Sequence, residues 1–196
     1  MSWTTQNQSN NYTTWNYKKV NKNSFSKYSA GILPYTFDIH GKCLFLLGKD
    51  SNGDWSDFGG RCEFKDHNNE KNTATREFYE ETLGSVINIQ ECMHKISVNP
   101  NKVVSKTLNG SPYYMYLVYI DHQNYSDHFL KFASFIRYQF DKSIQKVIEK
   151  VAIQWVSLDT LLNCIDTRNI NPPISLRGVF YKTLLECREQ LVFLTH

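Results

Sequence analysis

Gly59–Gly84 reads GGRCEFKDHNNEKNTATREFYEETLG. A glycine pair opens it, a polar loop follows, and the loop leads into a segment carrying Arg76, Glu77, Glu80 and Glu81. Helical positions i, i+3 and i+4 share a face, so Glu77, Glu80 and Glu81 form one stripe. Ala74 and Phe78 fall on another face and can anchor the helix in a core. The spacing predicts a helix from about Glu70 to Leu83, with Gly84 as its C-terminal cap. Three carboxylates on one stripe repel one another and invite a cation, and hard oxygen donors favour magnesium or manganese.

Upstream of this stretch, Ser29–Phe37 and Lys42–Leu47 read as strands joined by a turn at Asp38–Gly41, with Pro34 suggesting an edge or a bulge. Gly48–Asp54 is a turn-rich loop, and Trp55–Phe58 is a short strand running into the glycines. Downstream, Val86–Val98 reads as strand, Asn99–Pro112 as a loop, and Tyr113–Ile120 as a buried strand. Phe129–Val151 has apolar residues at helical spacing. Phe132, Phe135, Ile136, Phe140, Ile144, Val147, Ile148 and Val151 make the stripe, Lys131, Arg137, Lys142, Lys146 and Lys150 lie off it, and a break fits near Asp141–Ser143. Ile153–Val156 is a strand, Ser157 caps a short helix to Asn163, and Ser175–Val192 is a terminal amphipathic helix. Strands and helices follow no regular βαβ alternation, which points to an α/β fold with a mixed sheet and helices on its faces.

The chain has 196 residues and 41% apolar content, enough for one globular domain with a core. No apolar run reaches the roughly 18 residues of a membrane span, and the N-terminus lacks the apolar core of a secretory signal. Cys43, Cys62, Cys92, Cys164 and Cys187 are widely spaced with no CxxC pair, which fits a reducing, cytoplasmic setting and no zinc site. The six histidines are scattered without ligand spacing. The net charge is +3, yet no acid precedes Asp38, while Lys18, Lys19, Lys22 and Lys27 do. Residues 1–26 therefore read as a flexible, polar, basic arm in front of a single domain at 27–196. The arm's aromatics, Trp3, Tyr12, Trp15 and Tyr17, either fold back on the domain or stack on bases.

Arg76-Glu77-Phe78-Tyr79-Glu80-Glu81, with Gly59-Gly60, Glu63 and Trp55 upstream, resembles the Nudix hydrolases, whose motif is GX5EX7REUXEEXGU. The likeness runs from about Lys27 to Leu162 and extends to Ile153–Asp159. It departs from the motif in the loop. With five residues intervening after Gly60 stands Asp66, and nine residues rather than seven separate it from Arg76. Asp66 and Glu70 therefore compete for the first acid position. Leu83 stands where the motif has glycine, Gly84 comes one residue late, and Phe58 replaces a proline.

The resemblance implies a Nudix-type α/β/α sandwich with a mixed central sheet and metal-assisted hydrolysis of a phosphoanhydride. Magnesium or manganese would be held by Glu77, Glu80, Glu81 and the Gly59 carbonyl. Arg76 would orient Glu77 or the early acid, and Glu149 is a candidate general base. The box names the bond and leaves its owner open. Candidates are capped RNA, ADP-ribose, nucleotide sugars, dinucleoside polyphosphates, damaged nucleoside triphosphates and diphosphoinositol phosphates. The basic arm and Lys131, Arg137, Lys146 and Lys150 favour a long polyanion, hence mRNA decapping. The Lys- and Asn-rich composition suits an AT-rich genome, such as that of a large DNA virus or a protist. The competing readings are a small-nucleotide pyrophosphohydrolase and a non-catalytic RNA- or nucleotide-binding module, although such modules usually lose a box glutamate. Isoprenyl diphosphate isomerisation, also known on this fold, lacks its acid–thiol pair here.

Overall fold

A computed structural model describes residues 28–141, 145, 148–166 and 171–194. The expected arm, together with Lys142, Ile144, Lys146 and Val147, lies outside them. Seven strands form one sheet: β1 Ser29–Phe37, β2 Cys43–Asp50, β3 Trp55–Ser56, β4 Phe58–Arg61, β5 Lys102–Lys106, β6 Pro112–Tyr119 and β7 Lys150–Ser157. β1 is central. It runs parallel to β6 and antiparallel to both β4 and β2, so the sheet is mixed, as expected. Pro34 is not at an edge. It falls where the antiparallel partner of β1 changes from β4, paired through Ile32, to β2, paired from Tyr35. A missing N–H is tolerated at such a junction.

Alternation along the strands feeds two cores, one on each face of the sheet. Ile32, Leu46 and Phe58 meet Phe78 of α1 (Glu70–Glu81), Ile96 of α2 (Ile89–Val98) and Phe129 of α3 (Tyr125–Gln139). Leu33, Phe45 and Met115 meet Leu161 of α4 (Leu158–Ile165), Phe180 of α5 (Gly178–Glu186) and Leu191 of α6 (Arg188–Phe193). The result is the expected α/β/α sandwich.

Several elements differ from the sequence reading. The expected strand at Val86–Val98 is helix α2. Asn88 caps it by accepting from the Glu91 N–H, and Cys92 and Ile96, one helical turn apart, are its buried face. Within the expected loop, Lys102–Lys106 is strand β5, antiparallel to β6, with Val103 and Ser105 buried and their neighbours exposed. The long apolar stripe breaks beside Asp141, close to the expected break, and its first helix starts earlier than expected. α3 starts at Tyr125 and ends where Phe140 turns extended. Tyr125, Phe129 and Ala133 face its core, whereas Phe132 and Phe135 are exposed. The terminal helix begins later than expected, because Ser175–Arg177 runs beside Trp55 and exchanges backbone hydrogen bonds with it. It is also broken at Cys187.

Candidate active site

The loop between β4 and α1 is built around Asp66. This carboxylate is 2% exposed and sits in a 3-10 turn at Phe64–Asp66. It accepts from the Glu63 N–H and the Thr73 hydroxyl, and it takes Arg76 bidentately, Nε at 2.8 Å and Nη2 at 2.9 Å. A planar guanidinium matched to a carboxylate gives both strength and orientation. Burial works to raise Asp66, but Arg76 and the N–H of Glu63 outweigh it and hold the carboxyl below its usual range. Burial likewise works to lower Arg76, and its carboxylate partners more than reverse it. Asp66, not Glu70, is therefore the acid that Arg76 clamps. Glu70 begins α1 and reaches Lys102 at 3.3 Å. His67 (φ 53) and Asn68 (φ 56), consecutive left-handed residues, carry the extra loop length to the Asn69 cap.

From α1, Glu77, Glu80 and Glu81 line one cavity of about 590 Å³, together with Glu149, Leu83 and Ile136. Their environments differ. Glu80 is half exposed and paired with Lys65 at 3.0 Å and Arg76 at 2.9 Å. Glu77, mostly buried, is 2.9 Å from Arg76. Burial pushes it up to about 7 against the pull of Arg76, with Glu80 and Glu149 adding to the rise. Glu81 is 4% exposed, accepts from the Gly59 N–H at 2.9 Å, and lies 3.3 Å from Lys150 Nζ. Burial pushes it up to about 8 although Lys150 pulls the other way. Gly60 packs against the Glu77 carboxylate so closely that a Cβ there would sit 2.5 Å from Glu77 Cδ. Gly59 in turn faces Gly31 across the β1–β4 ladder.

The sequence reading misplaced Lys150. It is not on a basic helix face but is the first residue of β7, 1% exposed, with Nζ 2.9 Å from Ser56 Oγ as well as beside Glu81. A lysine so enclosed is closed to a polyanion. Lys131 and Arg137 are exposed on α3. Glu63 is exposed, beside Lys65 at 3.4 Å and Arg76 at 4.0 Å.

Asp57 escaped the sequence reading. It is buried, accepts a hydrogen bond from the Tyr113 hydroxyl, and is pushed up to about 6 by burial, against the pull of Tyr113, Lys150 and Arg177. Its only signal was an acid beside Phe58 at the entry to the glycine pair.

The donor set suits a hard divalent cation: carboxylates on one cavity, two of them, Glu77 and Glu81, held above their ordinary range by burial and by neighbouring carboxylates. Among the described residues no three acid, His or Cys side chains are already gathered as a closed ligand set. Lys65, Arg76 and Lys150 occupy the carboxylates instead.

No family model matches the sequence, and no curated protein matches it. Solved structures with a similar backbone include a Nudix hydrolase from M. Smegmatis, RenU, at 13% identity over 88% of this chain and 91% of that one, TM-score 0.48. The NUDIX domain of Shewanella oneidensis NrtR, solved with ADP ribose, is 15% identical over 86% and 90%, TM-score 0.48. A C. elegans Ap4A hydrolase is 15% identical over 67% and 80%, TM-score 0.39.

Proposed function

We propose that the chain is a Nudix hydrolase that cleaves a phosphoanhydride in a nucleoside diphosphate linked to a second moiety. One observation carries this reading. The Arg76–Glu81 motif folds as a helix, Arg76 clamps the early acid Asp66, and Glu77, Glu80, Glu81 and Glu149 surround one cavity.

Glu77, Glu80, Glu81 and the Gly59 carbonyl would hold magnesium or manganese. The metal would neutralise the diphosphate and lower the pKa of a water at the attacked phosphorus. Arg76 positions Asp66 and Glu77 and so fixes the loop against the helix. The Gly59 N–H orients Glu81. Glu149 is exposed on the same cavity and takes the role of general base.

On the substrate, exposed Lys131 and Arg137 and the basic composition of residues 1–26 support capped RNA, and buried Lys150 removes one support. Small nucleotides joined through a diphosphate are the alternative. No observation favours a module without activity, since the three helix glutamates, Glu77, Glu80 and Glu81, are all present.

The test is a magnesium-dependent hydrolysis panel with 5′-capped RNA, free cap dinucleotide, ADP-ribose and diadenosine polyphosphates. Glu80→Gln should abolish turnover while leaving the thermal midpoint unchanged, because Glu80 is half exposed. Unchanged turnover in that variant would remove the assignment. Release of 7-methylguanosine diphosphate from long RNA but not from free cap would establish decapping, and equal activity on small nucleotides would exclude it.

A further inference from the structure

Behind the glycine pair lies a second cavity of about 470 Å³, between the sheet and the start of α5. Gly59 and Gly60 line it directly, while the same residues contact Glu81 and Glu77 of the carboxylate cavity. The glycine pair thus stands between this cavity and the Glu81 and Glu77 carboxylates.

The chemistry of this second cavity is unlike that of the first. The buried pair Asp57 and Tyr113 forms its recessed part, and the exposed guanidiniums of Arg61 and Arg177 stand at its rim. Leu108 and Phe180 supply apolar surface. Tyr113 donates to Asp57 Oδ2, so the recessed end offers a carboxylate, which accepts and does not donate. Arg177 is the N-cap residue of α5 and its side chain caps no N–H there. Two guanidiniums beside an uncapped helix start suit a phosphate, and a recessed acceptor suits a ligand edge made only of N–H donors.

We infer that this cavity is a nucleotide subsite that takes a guanine-type base, its adjacent N–H donors on Asp57 and its phosphate on Arg61 and Arg177. Adenine presents a ring acceptor beside its amine, which would face the Asp57 carboxylate with lone pair against lone pair. The inference rests on the hydrolase reading for its purpose. A substrate spanning the glycine pair would place its base and adjoining phosphate here and its next phosphate over the carboxylates.

The experiment uses probes without a cleavable anhydride, so that binding and hydrolysis fail separately. Calorimetry of the full chain in EDTA compares GMP, AMP and guanosine. GMP is expected to bind about tenfold or more tightly than AMP, the scale of one hydrogen-bonded edge lost. Arg177→Gln, at an exposed site, should weaken GMP about tenfold and leave guanosine unchanged. Asp57→Asn should abolish the preference for guanine, with its thermal midpoint measured to show that it folds. Glu80→Gln should bind GMP as wild type does. Equal binding of GMP and AMP, or GMP binding indifferent to Arg177→Gln, would overturn the subsite. GMP binding without hydrolysis of any panel substrate would overturn the hydrolase reading alone.

Discussion

Asp66 shows how a single side chain can hold a loop to a helix. Its two oxygens take an N–H, a hydroxyl and a bidentate guanidinium, and it is almost wholly enclosed. Losing one partner of a buried pair costs about 3–5 kcal/mol, and Arg76, which keeps Glu77 and Glu80, puts the loss of Asp66 at the low end. Glu70 makes a partly exposed pair with Lys102, worth about 0–1 kcal/mol. Asp66→Asn should therefore lower the unfolding free energy by about 3 kcal/mol in denaturant titration, and Glu70→Gln by less than about 1 kcal/mol. Equal losses in the two variants would reverse the assignment of the early acid. Counting alone left the two acids in competition. The deciding feature is the bidentate grip of Arg76 on Asp66, and the loop reaches it through the left-handed residues His67 and Asn68, which no spacing rule exposes.

Among elements, β4 is the one in which glycine is required for different reasons at adjacent positions. A Cβ on Gly59 would lie 2.7 Å from Gly31 Cα and 3.0 Å from the Ala30 carbonyl, both backbone of the central strand. The three atoms nearest a Cβ on Gly60 would all belong to the Glu77 carboxylate. Gly59→Ala should therefore destabilise by about 1–3 kcal/mol, as overpacking does. Gly60→Ala should keep its thermal midpoint yet lose most hydrolysis, because Glu77 must turn away. A stable, inactive Gly59→Ala would contradict this division.

The α1 terminus explains the late glycine of the motif. Leu83 takes the left-handed position (φ 54), its N–H bonding the Glu80 carbonyl, and the Gly84 N–H bonds the Tyr79 carbonyl, closing a Schellman turn. α1 and the central strands were legible because their periods are clean and their side chains specialised. α2 and β5 were not. The helix is a short element with two buried residues, and β5 is an edge strand whose pattern emerges only against β6. α3 misled because its exposed aromatics, Phe132 and Phe135, are as apolar as its buried ones. The candidate site followed the same logic. The glutamates on α1 could be read from spacing, whereas Lys150, Asp57 and Arg177 join it only through sheet pairing and the return of the chain along Trp55.

At the scale of the whole molecule, the carboxylates give folding a pH dependence with a definite sign. Burial raises Glu81 from 4.5 to about 8, Glu77 from 4.5 to about 7, and Asp57 from 3.8 to about 6. The folded chain thus binds these protons more tightly than the unfolded one. Their contribution is fully present below the unfolded values and is lost as pH rises through the folded ones. Asp66 and Glu70 are shifted downwards, so their contribution is lost only in acid, as pH falls below their ordinary values. The metal-free protein should therefore be most stable near pH 5 and lose stability steadily towards pH 8, by about 2–4 °C in thermal midpoint per kcal/mol for a chain of this size. Glu81→Gln, which cannot ionise, should flatten part of that slope. Magnesium or manganese should act in the opposite direction. An ion that binds the folded state adds stability by mass action, and it binds ionised carboxylates, so its stabilisation should grow with pH over the range in which the metal-free protein weakens. Thermal scans in EDTA and in excess magnesium at about pH 5 and about pH 8 check both halves. Midpoints in EDTA that rise with pH, or a magnesium effect equal at both values, would show that these carboxylates neither carry the strain nor hold the ion.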